Sequence, residues 1–202
     1  MKGLYLVTPD WDDTEKLLFA SAEAIAGGAA LLQYRHKTAS EALRREQAAA
    51  LMKLCRRLNV PFIINDHIEL CESLDADGIH VGGTDAPVSA VRTRLGSDKI
   101  VGASCYGDLQ LARDSAAAGA SYVAFGGFYP SRVKKYEVTT PPEIVTRAIA
   151  ELDVPICVIG GMTVNNSKPL VDLGAHMVAA ISSIYSTVDY RAAAAAFADL
   201  YR

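Results

Sequence analysis

The chain has 202 residues, room for one domain at roughly 100–200 residues each, or two small ones. Half of it is hydrophobic and 21% is charged, the balance of an ordinary globular protein whose core needs no disulfide or metal staple. The 20 basic and 23 acidic residues give a net charge of −3, which excludes nucleic-acid binding through bulk positive charge but leaves room for a local basic pocket.

In chain order, Met1-Lys2-Gly3 leads into the apolar run Leu4-Tyr5-Leu6-Val7. Four residues are too few for the apolar core of a secretory leader, and no run approaches a bilayer span, so neither is expected. Short β-branched or aromatic runs recur at 4–8, 31–35, 62–65, 78–81, 100–104, 122–126, 156–160 and 177–181. Such runs, bounded by Gly, Pro or Asp, suit strands buried on both faces. Between them the spacing predicts helices, most clearly over 14–25, 40–58, 109–118, 142–151 and 190–201. Gly28-Ala29, Gly119-Ala120 and Gly174-Ala175 fall between a helix and the next strand, where a left-handed C-terminal cap belongs. Pro141-Pro142 suits a helix start. The segment from Phe62 to Gly78 leaves room only for a two-turn helix.

Strict alternation of eight strands with up to eight helices means parallel strands joined by right-handed crossovers. Eight units point to an α/β protein of the closed (β/α)8 TIM-barrel type, rather than an open doubly wound sheet. No linker or low-complexity block divides the chain, so a single catalytic domain over 1–202 is expected. Cys55, Cys71, Cys105 and Cys157 are widely spaced, with neither CxxC nor Cys/His metal spacing. They read as free thiols in a reducing, cytoplasmic compartment.

In such barrels the active site lies at the C-terminal strand ends. The second strand ends in Gln33-Tyr34-Arg35-His36-Lys37. Alternation puts Gln33, Arg35 and Lys37 on one side, as a site for phosphate or diphosphate or as a merely solvated strand end. Asn65-Asp66 and Asp85 follow the third and fourth strands. Two carboxylates beside a diphosphate site suit Mg2+, although each could equally start a helix. Ser104 ends the fifth strand without a His/Asp partner for a hydrolase triad, and Cys105 points the other way, into packing. His80, the one histidine on a strand, reads as a hydrogen-bonded supporting residue. The longest loop, 126–136, carries Ser131, Arg132, Lys134 and Lys135 and suits anion capture. Gly160-Gly161 after the seventh strand and Ile181-Ser182-Ser183 at the eighth fit the phosphate site frequent in this fold. Two anion sites on one mouth fit an enzyme that joins a diphosphate and a monophosphate substrate.

These pieces, together with Leu4-Tyr5-Leu6-Val7-Thr8, Asp77-Gly78-Ile79-His80-Val81-Gly82 and Phe125-Gly126-Gly127-Phe128-Tyr129-Pro130-Ser131, run nearly end to end. In their order and placement the chain resembles the thiamine-phosphate synthase family. The resemblance implies a Mg2+-dependent transferase that condenses hydroxymethylpyrimidine diphosphate with a thiazole phosphate and releases diphosphate through a pyrimidine carbocation. It implies that Gln33, Arg35 and Lys37, with Tyr34 and His36 in the same stretch, hold the diphosphate. Asn65, Ser104 and Lys134 would contact the pyrimidine or its leaving group, and Asp66 and Asp85 would bind Mg2+. Ser131, Arg132, Val133, Gly161, Ile181 and Ser182 would receive the thiazole phosphate. Arg35, Lys37, Ser104 and Lys134 are the implied catalytic groups. The partners are small molecules, with no nucleic acid and no membrane, and a homo-oligomer is compatible with the sequence.

Three departures from the family pattern stand out: Gly83 where Gln is usual, Val133 where a second hydroxyl is usual, and the stretch Lys135-Tyr136-Glu137-Val138. They bear on the hold on thiazole phosphate. Two alternatives share the fold: a thiazole tautomerase-like isomerase, which needs no diphosphate apparatus, and a non-catalytic binder of thiazole phosphate.

Overall fold

The computed structural model describes residues 1–82, 86–130 and 140–202. Its strands are β1 (Gly3–Val7), β2 (Leu31–Tyr34), β3 (Phe62–Asn65), β4 (Gly78–Val81), β5 (Ile100–Tyr106), β6 (Tyr122–Phe125), β7 (Ile156–Ile159) and β8 (Met177–Ala180). Each strand pairs in parallel with the next, and β8 closes on β1, which makes the (β/α)8 barrel expected from the alternation. The helices are α1 (Thr14–Ala26), α2 (Glu41–Leu58), α3 (Ile68–Leu74), α4 (Val88–Leu95), α5 (Leu109–Ala117), α6 (Glu143–Glu151), α7 (Val164–Asp172), α8 (Ser182–Tyr185) and α9 (Tyr190–Ala198), followed by a 3-10 turn over Asp199–Tyr201.

Local signals set these boundaries. Asp13, Ser40, Asp108 and Asp189 accept backbone N–H groups at the starts of α1, α2, α5 and α9. Thr163 and Asn166 form a reciprocal capping box on α7. These side chains satisfy donors that a helix start leaves orphaned. The three helix-to-strand glycines Gly28, Gly119 and Gly174 have φ of 104°, 98° and 106°. At that φ an L side chain is strained, so a glycine ends the helix there.

Two differences from the sequence expectation stand out beside shifts of a residue or so at other ends. β5 runs two residues past Ser104, to Tyr106, through a register shift against β6. Among the described residues there are nine α-helices instead of at most eight, because the four-residue α8 is inserted between β8 and α9. No amphipathic period is visible in four residues, so pattern reading passes over such an element.

The core has two layers. A large cluster that includes Leu4, Leu6, Leu32, Ile64, Val101, Val123 and Val158 packs the outer face of the barrel against the helices. A smaller one fills the barrel itself with Tyr5, Val7, Leu31, Ile63, Tyr122, Ala124, Cys157, Met177 and Ala179. Alternation along each strand sorts the residues between the two. Arg92 on α4 ties the bottom of the barrel together. Its guanidinium donates to the carbonyls of Gly96, Ser97, Lys99 and Gly119 and to the Ser121 hydroxyl.

Candidate active site

The polar residues gather at the C-terminal strand ends. At the end of β2, Gln33 is buried in the barrel and its amide nitrogen donates to the Tyr5 hydroxyl at 2.7 Å. Tyr34 faces the other way and donates to Gln47 of α2 at 3.0 Å. Arg35 follows the last strand residue, and its backbone is fixed from Thr8, the residue after β1. The Arg35 N–H donates to the Thr8 hydroxyl at 2.8 Å, and that hydroxyl donates to the Arg35 carbonyl at 2.9 Å. Its guanidinium reaches Asp10 at 3.4 Å. Asp10 also accepts the Lys37 backbone N–H at 3.0 Å. His36 is buried and its Nε2 lies 3.1 Å from Asp12. The Lys37 ammonium, half exposed, lies 2.6 Å from the Asp66 carboxylate on the loop after β3. Tyr34, His36, Lys37, Asn65 and Asp66 line one cleft of about 350 Å3 with Arg44 and His67. Desolvation, followed by the Arg44 charge, lowers the His67 pKa, while the Asp66 charge opposes that shift.

Asp66 is placed by backbone conformation. Its φ is 63°, in the left-handed region that non-glycine residues other than Asn and Asp seldom enter. Its N–H donates to the His80 carbonyl at 2.9 Å. The first cap position of α3 belongs to His67, which makes no side-chain cap bond, and the Asp66 carboxylate is turned to Lys37. Reading Asp66 as a helix cap is therefore incorrect. A residue strained this way at a strand end is a functional candidate.

On the far side of the mouth the groups are backbone. Gly160 and Gly161 after β7 have φ of 109° and 64°. A Cβ on Gly161 would overlap the Pro130 carbonyl. The Asn166 amide holds the Gly161 carbonyl at 3.0 Å, and the Ser183 hydroxyl donates to the Met162 carbonyl. Ile181 and Ser182 open the short α8 at the end of β8. After β6, Thr140 brings the chain back to the mouth, its N–H donating to Gly127 at 3.3 Å. Asp85, Ser131, Arg132, Val133 and Lys134, with the departures at Gly83 and 135–138, lie outside the described residues.

Ser104 on β5 is bonded to His80 at 2.8 Å, so this histidine is hydrogen-bonded as expected. Cys105 is buried in packing, with its thiol pushed up to about 11 by desolvation. The four cysteines are all buried and free. Among the described residues no three His, Cys, Asp or Glu side chains gather as a metal set. No helix among them is long and apolar enough to cross a membrane.

Sequence reading missed Tyr5 and Tyr122, whose hydroxyls meet inside the barrel at 2.7 Å. Inside otherwise apolar runs they look like core aromatics. Counting by twos from Gln33 and from Ser104 across the strand registers would have placed both in the interior.

Residues 4–184 match the family described as thiamine monophosphate synthase. The chain belongs to this family. Its members are transferases of thiamine biosynthesis, and two curated thiamine-phosphate synthases set the distance. One, from Janthinobacterium sp. (strain Marseille), is 65% identical over 201 residues, covering 100% of this chain and 97% of that one. Another, from Nitrosospira multiformis, is 44% identical over 200 residues, covering 99% and 86%. Among solved structures, a thiamine phosphate pyrophosphorylase from Pyrococcus furiosus superposes with a TM-score of 0.84 at 26% identity, covering 98% of this chain and 94% of that one.

Proposed function

We propose that the chain condenses hydroxymethylpyrimidine diphosphate with a thiazole phosphate, with or without its carboxylate, to give thiamine phosphate and diphosphate. The observation that carries this reading is the shared rim. Arg35, Lys37 and Asp66 at the ends of β2 and β3 stand on the same end of the barrel as the glycine turn after β7 and the start of α8. That layout supplies cations for a diphosphate and backbone amides for a monophosphate.

The chemistry asks for charge neutralisation and positioning. The bond between the diphosphate oxygen and the pyrimidine's benzylic-type carbon breaks, and its electron pair leaves with diphosphate. The ring nitrogen of the thiazole then gives its lone pair to the carbocation. No proton has to be taken from the nucleophile, so no base dyad is required. Arg35 and Lys37, with Lys134, would stabilise the leaving group, while Asn65 and Ser104 would orient the pyrimidine. Mg2+ suits the rim because it needs only one or two carboxylates beside water and substrate phosphates, and Asp66 offers a hard oxygen donor, paired with Lys37. When bound, it neutralises charge on the departing diphosphate. Asp66, with Asp85, would hold it. We place this activity in the cytoplasm, in a single catalytic unit over 1–202 that is compatible with a homo-oligomer.

Mixing the purified protein with both substrates and following diphosphate release tests the reading. Release should require the thiazole phosphate and Mg2+, and thiamine phosphate should appear in equal amount. Release that survives EDTA would remove the metal from the mechanism. Isomerisation of the thiazole without diphosphate release would replace a synthase with an isomerase.

A further inference from the structure

A single chain of hydrogen bonds crosses the barrel interior. Gln33 Nε2 donates to the Tyr5 hydroxyl at 2.7 Å, and Tyr5 meets the Tyr122 hydroxyl at 2.7 Å. Tyr122 meets His80 Nδ1 at 2.9 Å, and His80 Nε2 meets Ser104 Oγ at 2.8 Å. These groups come from β2, β1, β6, β4 and β5, so the chain links one wall of the barrel to the other. Gln33, Tyr5, Tyr122 and His80 are all buried. Room for the Tyr122 ring comes from Gly102 on the neighbouring strand, where any Cβ would overlap the ring. Desolvation raises the pKa of both phenols, so both keep their hydrogens at neutral pH.

Each hydroxyl carries one hydrogen, and a neutral imidazole carries one on either nitrogen. For a neutral His80 those limits give the chain a single sense, set by which amide atom of Gln33 faces Tyr5. With the Gln33 nitrogen on Tyr5, the Tyr5 hydrogen goes to Tyr122. The Tyr122 hydrogen then goes to His80 Nδ1, so the imidazole hydrogen must sit on Nε2, where it is donated to Ser104. The reverse sense would also be complete. Were the Gln33 amide oxygen the atom facing Tyr5, every hydrogen would run the other way and Ser104 would spend its hydrogen on His80. One amide thus decides a bond on the opposite wall.

We propose that Gln33, Tyr5 and Tyr122 form a relay that holds His80 as its Nε2–H tautomer and so leaves the Ser104 hydroxyl hydrogen to donate to the pyrimidine substrate. The relay rests on the reading of Ser104 as a substrate contact. Tyr5, Tyr122 and His80 are positioning residues in it. They act through Ser104.

The test is the tautomer of His80, read by 15N NMR on the full chain labelled at histidine and assigned by loss of the signals in His80→Asn. The wild-type protein should show Nε2–H. Gln33→Glu puts a carboxylate, which only accepts, against Tyr5, and should switch His80 to Nδ1–H. Its kcat for the condensation should fall about 10-fold, the worth of one hydrogen bond. Tyr5→Phe cuts the relay at a residue buried beneath the mouth and should give a mixture of tautomers. Its kcat should fall only roughly two-fold, since about half the molecules keep the required sense, and its KM should hardly change. A purely structural role for Tyr5 would change the melting temperature and leave the tautomer alone. Nδ1–H in the wild-type protein would overturn the relay, as would an unchanged tautomer in both variants. If no thiamine phosphate forms under any condition, the tautomers still decide the relay, and it is the proposed activity that falls.

Discussion

The two sides of the barrel mouth are built from different materials. At β2 and β3 the polar groups are side chains: Arg35 beside Asp10, and Lys37 beside Asp66. At β7 and β8 they are main-chain groups: a glycine pair with positive φ and the first turn of α8. A charged tip can be removed while its backbone stays in place. A backbone site exists only while the turn keeps its shape. The first side should therefore respond to loss of charge, and the second to added bulk.

The largest effect is expected on the side-chain half. Asp66→Asn keeps a residue type tolerant of the left-handed φ of 63° and removes only the charge. It should lower kcat by about 10²–10³, the usual loss for one transition-state contact, with an unchanged melting temperature. Arg35→Ala should fall in the same range. Steady-state diphosphate release measures both, and wild-type turnover in either would reduce that half to a solvated rim.

Gly161→Ala should act on the other half, and in the other constant. The added methyl meets the Pro130 carbonyl, and the φ of 64° strains any side chain. The strain costs about 1–2 kcal/mol, which should raise the KM for thiazole phosphate by roughly 10-fold while kcat at saturation stays near wild type. An equal loss in kcat with unchanged KM would break the contrast.

The smallest effect lies at the far end of the barrel. The Ile156 N–H donates to His176 Nδ1 at 3.1 Å. Desolvation, then the N-terminal ammonium and Lys2, hold this imidazole below its usual 6.5. As pH falls the unfolded chain therefore takes up the proton first. Stability that is complete above about 6.5 is lost as pH falls from there toward the folded value. Between pH 7 and 5.5 the melting temperature should drop slightly, and His176→Gln should flatten the drop. Thermal scans check this, and a melting temperature that rises over the same range would reverse the sign. His67 in the cleft, also lowered, works in the same direction.

The strands were legible because each is a short apolar run between breakers. The runs at 62–65 and 78–81 coincide with β3 and β4 to the residue. The polar strand ends were legible for the same reason, as interruptions of an apolar texture. Interior polarity was not. Tyr5 and Tyr122 differ from core phenylalanines only by a hydroxyl, and that hydroxyl acquires meaning from a partner 117 positions away. Nor could spacing tell that Asp66 turns to Lys37 instead of capping α3, because that depends on one left-handed residue. The sides of Tyr34 and Gln33 followed from counting by twos.

The double bond between the Thr8 hydroxyl and the backbone of Arg35 has a consequence for how new variants of this barrel would arise. The aim of the guanidinium is inherited from the strand next door, through a threonine too deep to meet any reactant. Substitutions that retune the enzyme can therefore fall outside its lining. A directed-evolution library confined to the pocket wall would leave the peg that holds the Arg35 backbone untouched.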